Sequence, residues 1–220
     1  MPILTESVGR KVLMAMSGFF MVMFLLAHLA GNATIWGGPE WINSYAEHLH
    51  QLPLLLWPLR VLMLVVLGTH ILLGIVLTLE NRRARQGKYA ISRRQVTTIS
   101  GRTMIWTGLA LLTFMVFHIL HFTFQVIPGV VQEYDGLGRF DVYAMIVAGF
   151  WDRMVSSIYI LAMIALFLHV GHGVQSIFQT LGLSSDRTLT RFGILSRLLS
   201  VLFLIGFGSI PVFVLANLLY

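Results

Sequence analysis

Six histidines, at positions 28, 70, 118, 121, 169 and 172, are the residues of this chain whose type and spacing could do chemistry. All lie in strongly apolar stretches, where an ionisable side chain is costly and marks function by default. The densest stretch is 161–182, LAMIALFLHVGHGVQSIFQTLG. There His169 and His172 stand three residues apart before the run turns polar at Gln175, Ser176 and Gln179; His118 and His121 repeat the spacing. Neutral imidazole is a common metal ligand. Two imidazoles presented from facing helices at one depth would supply both axial positions of a b-type haem.

The elements that must position these side chains follow from composition. At 57% hydrophobic and 11% charged residues, the chain is not a soluble domain. Runs of about 20 apolar residues indicate membrane-spanning helices, and five are expected, at 12–33, 54–79, 103–127, 154–179 and 194–220. The expected fold class is an all-α membrane protein: a single transmembrane domain over 1–220, whose first four helices carry the intramembrane histidines and form a bundle able to bind haem. No small-residue cleavage site follows the first run, so it reads as a retained helix. Without cysteine there is no disulfide, no thiolate iron–sulfur site and no covalent c-type haem attachment.

Twelve of the fifteen basic residues fall in the segments at one end of the helices: Arg10 and Lys11, then Arg82, Arg83, Arg85, Lys88, Arg93, Arg94 and Arg102, then Arg187, Arg191 and Arg197. Glu40, Glu47, Glu133, Asp135, Asp141 and Asp152 fall at the other. The positive-inside rule makes the basic end cytoplasmic. The expected protein is a multi-pass component of a bacterial inner membrane, N-in and C-out, and the +6 net charge reflects topology rather than nucleic-acid binding. Two outer segments are too short to span. Residues 39–52 suit an interfacial helix, with Trp41, Tyr45 and Leu49 on one side and Glu40, Ser44, Glu47 and His48 on the other. Residues 140–151 should pack at the outer surface. The fifth helix has no histidine, and Pro211 is placed to kink it.

Helices 1–2 and 3–4 form two similar hairpins, each helix bearing a histidine in its second half. Helices 1 and 3 run outward, so His28 and His118 fall on the outer side of the midplane; His70 and His169 fall on the inner side. Each lies about 3–8 Å from its helix centre at 1.5 Å per residue. The expected pairs are therefore His28 with His118 and His70 with His169, with Gly31, Gly74, Gly171 and Gly173 letting a flat ring approach the backbone. Depth does not choose His118 over His121, or His169 over His172, since each pair shares a helix face. The remaining histidine of each pair could meet a haem propionate or a quinone oxygen, and Arg102 is a further propionate candidate. Zinc or iron transport is the reading from another class, a polytopic transporter with structural histidines. No Asp or Glu is expected within a span to accompany the histidines, which weighs against it.

Several segments carry a family resemblance: residues 7–18 (SVGRKVLMAMSG), 28–32 (HLAGN), His70, 102–108 (RTMIWTG), 117–122 (FHILHF) and 169–182 (HVGHGVQSIFQTLG). Over essentially its whole length the chain resembles the di-haem cytochrome b membrane anchor of succinate:quinone and quinol:fumarate oxidoreductases, in its five-helix single-chain form. The resemblance implies two b haems, with His28 and His118 on the outer iron and His70 and His169 on the inner. It also implies a flavoprotein and an iron–sulfur protein docked on the inner face, and electron exchange with membrane menaquinone or ubiquinone. Whole complexes of this kind are compatible with dimerisation. A quinone site near the outer haem would need an acid/base group; Glu47, His48 and His50 sit on the outer 1–2 connection, and of these Glu47 and His50 are the candidates. The nearest alternative is the cytochrome b subunit of a hydrogenase or formate dehydrogenase, which the segments at 7–18 and 169–182 disfavour.

Overall fold

In the computed structural model, residues 7–84 and 99–220 are described. Five long apolar helices dominate: α1 (Ser7–Ala33), α3 (Pro53–Ala84), α4 (Ile99–His118, continued by a π turn over Ile119–Thr123), α6 (Arg153–Thr180) and α7 (Asp186–Leu215). Two short helices, α2 (Pro39–His50) and α5 (Val142–Trp151), lie with the acidic connections. Among the described residues there is no strand, only a bridge between Tyr134 and Phe140. The five expected spans are all present as helices long and apolar enough to cross a membrane. α3 runs past the expected end at 79 as far as Ala84, because nothing in LENRRA breaks a helix. Glu80, the residue just beyond the expected span, therefore sits on the helix and pairs with Arg10 at 3.0 Å.

Local chemistry sets the helix starts. Asp141 caps α5 by accepting from Ala144 N–H at 2.9 Å, and Asp152 caps α6 by accepting from Met154 N–H at 2.7 Å. Ser185 and Thr188 form a reciprocal capping box on α7. Pro211 lies inside α7, buried, where it removes one backbone donor.

The core has two parts. In the middle of the bundle, Leu29 of α1 packs with Ala162, Met163, Leu166, Val170 and Val174 of α6 and the fully buried Phe203 of α7. Gly206 permits this approach, since a Cβ there would come within 2.6 Å of Leu29. Ser196 of α7 donates to the Val170 carbonyl at 2.9 Å, so its hydroxyl is satisfied within the apolar interior. At the acidic end Ile35, Ile42, Met145, Ile146, Phe150, Val155 and Tyr159 form the second cluster with Ile210, Val214 and Leu219. α5 thus packs into the acidic-end cluster through Met145, Ile146 and Phe150. α3 packs mainly on α1 and presents most of its length outward.

The short helix α2 turns the expected Trp41–Tyr45 side away from the protein and a different side inward. Its buried residues are Ile42 and Asn43, while Trp41 is 66% exposed. The reason is polar: Asn43 Nδ2 donates to Asp141 at 3.1 Å, and its Oδ1 accepts from Tyr143 N–H at 3.0 Å, locking α2 to the start of α5. Beside it Arg139 bonds both Glu40 and Asp135, its side chain only 9% exposed. The hydrogen bonds from Arg139 hold the Glu40 carboxyl below the usual carboxylate range. Partial desolvation pushes Asp135 up, but bonds from Arg139 and from Leu137 N–H outweigh it and hold that carboxyl low as well. Because both folded pKa values are depressed, this clamp contributes fully above the ordinary carboxylate pKa and is lost as pH falls through the lowered values. Asn43→Ala should strand buried polar groups and cost about 1–3 kcal/mol, lowering the thermal midpoint in detergent. Arg139→Ala should abolish the extra loss of stability on acidification below about pH 4, as a pH series of melts would read.

Candidate functional site: two levels of paired histidines

The interior holds two imidazole pairs, each joining one hairpin to the other. His28 of α1 and His118 of α4 have ring centroids 6.0 Å apart; His70 of α3 and His169 of α6 are 6.2 Å apart. Ser17 of α1 reaches His70, and Thr107 of α4 reaches His169, each at 3.2 Å. Ser17 precedes His28 by eleven residues, and Thr107 precedes His118 by eleven. The same step along two helices separates the two levels by about 16 Å.

These hydroxyls decide which ring nitrogen carries the proton. Ser17 Oγ donates its one hydrogen to the Met14 carbonyl at 2.9 Å, and Thr107 Oγ1 donates to the carbonyls of Thr103 and Met104, both at 3.1 Å. With their protons committed to their own helices, both hydroxyls accept from a histidine Nδ1–H. His70 and His169 are thereby Nδ1–H tautomers with a bare Nε2 lone pair. Next to each hydroxyl stands a glycine. A Cβ on Gly18 would lie 3.3 Å from His70 Cε1, and one on Gly108 would lie 3.4 Å from His169 Cε1. The motif is thus a hydroxyl, a glycine and, ten residues on from the glycine, a histidine, present on α1 and again on α4.

The acidic-end pair is built differently. His28 is flanked by Phe24, stacked at 5.5 Å, and by Phe207 at 5.6 Å. Asn32 Nδ2 lies 3.4–3.5 Å from its ring nitrogens. His118 Nδ1 is 3.2 Å from the hydroxyl of Tyr159 on α6, and the same hydroxyl is 3.0 Å from Nδ1 of His121. The π turn following His118 is what swings His121 inward: Phe124 N–H bonds Ile119 O, a step of five, and Gln125 then ends the helix with φ of 54°. His121 is 0% exposed, with Nε2 turned toward Gly149 and Phe122.

The other expected site residues fall as follows. His172 is half-buried on α6, one turn beyond His169. Glu47 and His50 line one cleft of ≈ 330 Å³ with Ala46, Gln51, Gly138, Arg139, Phe140 and Val142. The Nδ1 atoms of His48 and His50 bond carbonyls one turn back in α2, both at 2.7 Å. The side chain of Arg102 lies outside the described residues, as do Arg85, Lys88, Arg93 and Arg94. Of the glycines expected beside a ring, Gly31 instead admits Tyr45, whose hydroxyl would come within 2.6 Å of a Cβ there. Gly74 faces Met14, and a Cβ on Gly173 meets nothing within 4 Å. The glycines against the imidazoles, Gly18 and Gly108, were legible through the repeated hydroxyl–glycine dipeptide and its fixed distance to a histidine.

Fold and site define a polytopic helical membrane protein with histidines paired at two depths. The family model described as succinate dehydrogenase/fumarate reductase transmembrane subunit matches residues 79–207, more than half of the chain, and the chain belongs to that family. No curated protein and no solved structure gives a significant match. Membership sets aside the hydrogenase-subunit and transporter alternatives. The matched segment contains His118, Tyr159 and His169 but stops short of His28 and His70.

Gly18→Val should overpack the α1–α3 contact and cost about 1–3 kcal/mol. Gly68→Val on α3, where a Cβ meets nothing within 4 Å, should leave the thermal midpoint nearly unchanged.

Proposed function

We propose that this chain is the membrane anchor and electron-transfer subunit of a succinate:quinone or quinol:fumarate oxidoreductase, and that it binds two b haems. His28 and His118 would hold the outer one, and His70 and His169 the inner one. The observation that carries this reading is the pair of imidazole contacts at two levels, each bridging two helices. The donor set fits the group. Metal–imidazole bonds of about 2 Å, with about an ångström more from nitrogen to ring centre, would leave two rings sharing one metal about 6 Å apart, and the observed centroids stand 6.0 and 6.2 Å apart. The bare Nε2 atoms of His70 and His169 are what an iron requires, and their Nδ1–H groups are bonded as ligating histidines generally are.

Geometry also favours one histidine of each adjacent pair. His121 directs Nε2 at Gly149 rather than at a facing imidazole, and it is His169 that makes the ring contact with His70, which supports His118 and His169 as ligands. Bound haems would supply two one-electron carriers in series across the bilayer. The chain's own residues do the rest: imidazoles grip, hydroxyls fix their tautomers, and the apolar shell of Leu29, Leu166 and Phe203 excludes water. At the basic end Arg82, Arg83, Arg187, Arg191 and Arg197 would form the cytoplasmic docking face for an iron–sulfur subunit and its flavoprotein. The cleft between α2 and the 138–142 segment, with Glu47 and His50 on its wall, supports a menaquinone or ubiquinone site at the outer end, where a carboxylate and an imidazole can exchange protons with the quinone oxygens.

The test is a reduced-minus-oxidised spectrum with haem quantitation on the purified protein. Wild type should carry two b haems per chain. His118→Ala should lose one, and His121→Ala should keep both. A folded wild type without haem would end this reading, whereas haem loss confined to His121→Ala would move the ligand by one helical turn.

A further inference from the structure

Tyr159 serves two histidines with one hydroxyl, and no such sharing occurs at the inner level. Its ring is buried, 6% exposed, and packed edge-on against Phe114 at 4.9 Å and Phe150 at 4.8 Å. Its oxygen has one proton to give and two lone pairs. Ser17 and Thr107 spend their protons on their own backbones; the only hydrogen-bond contacts of the Tyr159 hydroxyl among the described residues are His118 Nδ1 at 3.2 Å and His121 Nδ1 at 3.0 Å. A hydroxyl free to donate to His118 Nδ1 would favour the Nε2–H tautomer, which leaves no lone pair on Nε2 for a metal.

We infer that Tyr159 is the positioning residue of His118, and that His121 acts through it as a tautomer lock. His121 Nδ1 takes the Tyr159 proton at 3.0 Å, which leaves the Tyr159 lone pairs to accept from His118 Nδ1–H. His118 is then held as the Nδ1–H tautomer with Nε2 bare, the state that Ser17 and Thr107 impose on His70 and His169. His121 is left as the Nε2–H tautomer, with that nitrogen buried beside Gly149 and without a hydrogen-bond partner among the described residues. The inference deepens the haem reading and rests on it for its redox consequence: an acceptor on Nδ1–H makes the imidazole a stronger donor and favours ferric iron.

Tyr159→Phe keeps the ring packing and removes only the hydroxyl. In the purified holoprotein, redox titration should show two haems retained, the midpoint of the His28–His118 haem raised and that of the His70–His169 haem unmoved. His121→Leu should raise the same midpoint by a smaller shift, and His121→Asn, which restores an acceptor near the Nδ1 position, should return it toward the wild-type value. Unchanged midpoints in both Tyr159→Phe and His121→Leu would overturn the inference. So would equal shifts of both haems, or a His121→Asn variant no closer to wild type than His121→Leu. A second readout needs no haem: nitrogen chemical shifts of ¹⁵N-histidine-labelled haem-free chain should show His118 as Nδ1–H in wild type and a mixture in Tyr159→Phe. If wild type binds no haem, the functional reading fails, and this tautomer measurement alone decides for or against Tyr159.

Discussion

The structure depends on one constraint: within hydrocarbon an imidazole nitrogen has no water to turn to, so the protein must meet it. Three of the four paired histidines answer with a hydroxyl on another helix. Ser17 on α1 meets His70 on α3, Thr107 on α4 meets His169 on α6, and Tyr159 on α6 meets His118 on α4. Each bond ties two helices together at a defined height. Apolar packing alone would let helices slide, because lipid tails are as apolar as leucine. The polar contacts set the axial register, and the leucines, valines and phenylalanines fill the space that the register leaves.

The two levels solve the same problem with different freedom. At the level of His70 and His169 the hydroxyl protons are committed to backbone carbonyls one turn back, so helix geometry favours one histidine tautomer. At the acidic end the deciding proton belongs to a tyrosine whose partner choice is set by a second histidine. That end is also where the bundle is most elaborately closed. α5, the Asn43 bonds and the Arg139 ion pairs cover it, and the cleft holding Glu47 and His50 opens beside them. In the proposed function this is the quinone end, where electron transfer must be matched to proton exchange.

Much of the site was legible in the chain, though not all for the reasons first apparent. The pairing by depth follows from helix direction and rise, both fixed by the apolar runs. Gly31 shows that nearness in sequence to a histidine says little about nearness in space: it follows His28 by three residues yet admits Tyr45 of α2. The glycines that matter lie ten residues before a histidine of their own helix and face a histidine of another. The inward side of α2 was not legible for a related reason: Asn43 is buried because it bonds the start of α5, and local pattern does not register a bond to a residue 98 positions away.

By itself the sequence determined the five helices, the segregation of basic from acidic ends and the two depths of histidine, because apolar length, charge placement and 1.5 Å of rise per residue are local quantities. It also carried the eleven-residue step from hydroxyl to histidine on α1 and α4. Only the tertiary structure decided which nitrogen each imidazole leaves bare, since that depends on where the proton of a hydroxyl on another element goes. Only it brought Tyr159 between His118 and His121, because a π turn of a single extra residue reoriented His121, and the hydrogen bond that rewards such a turn is visible only once α4 lies against α6.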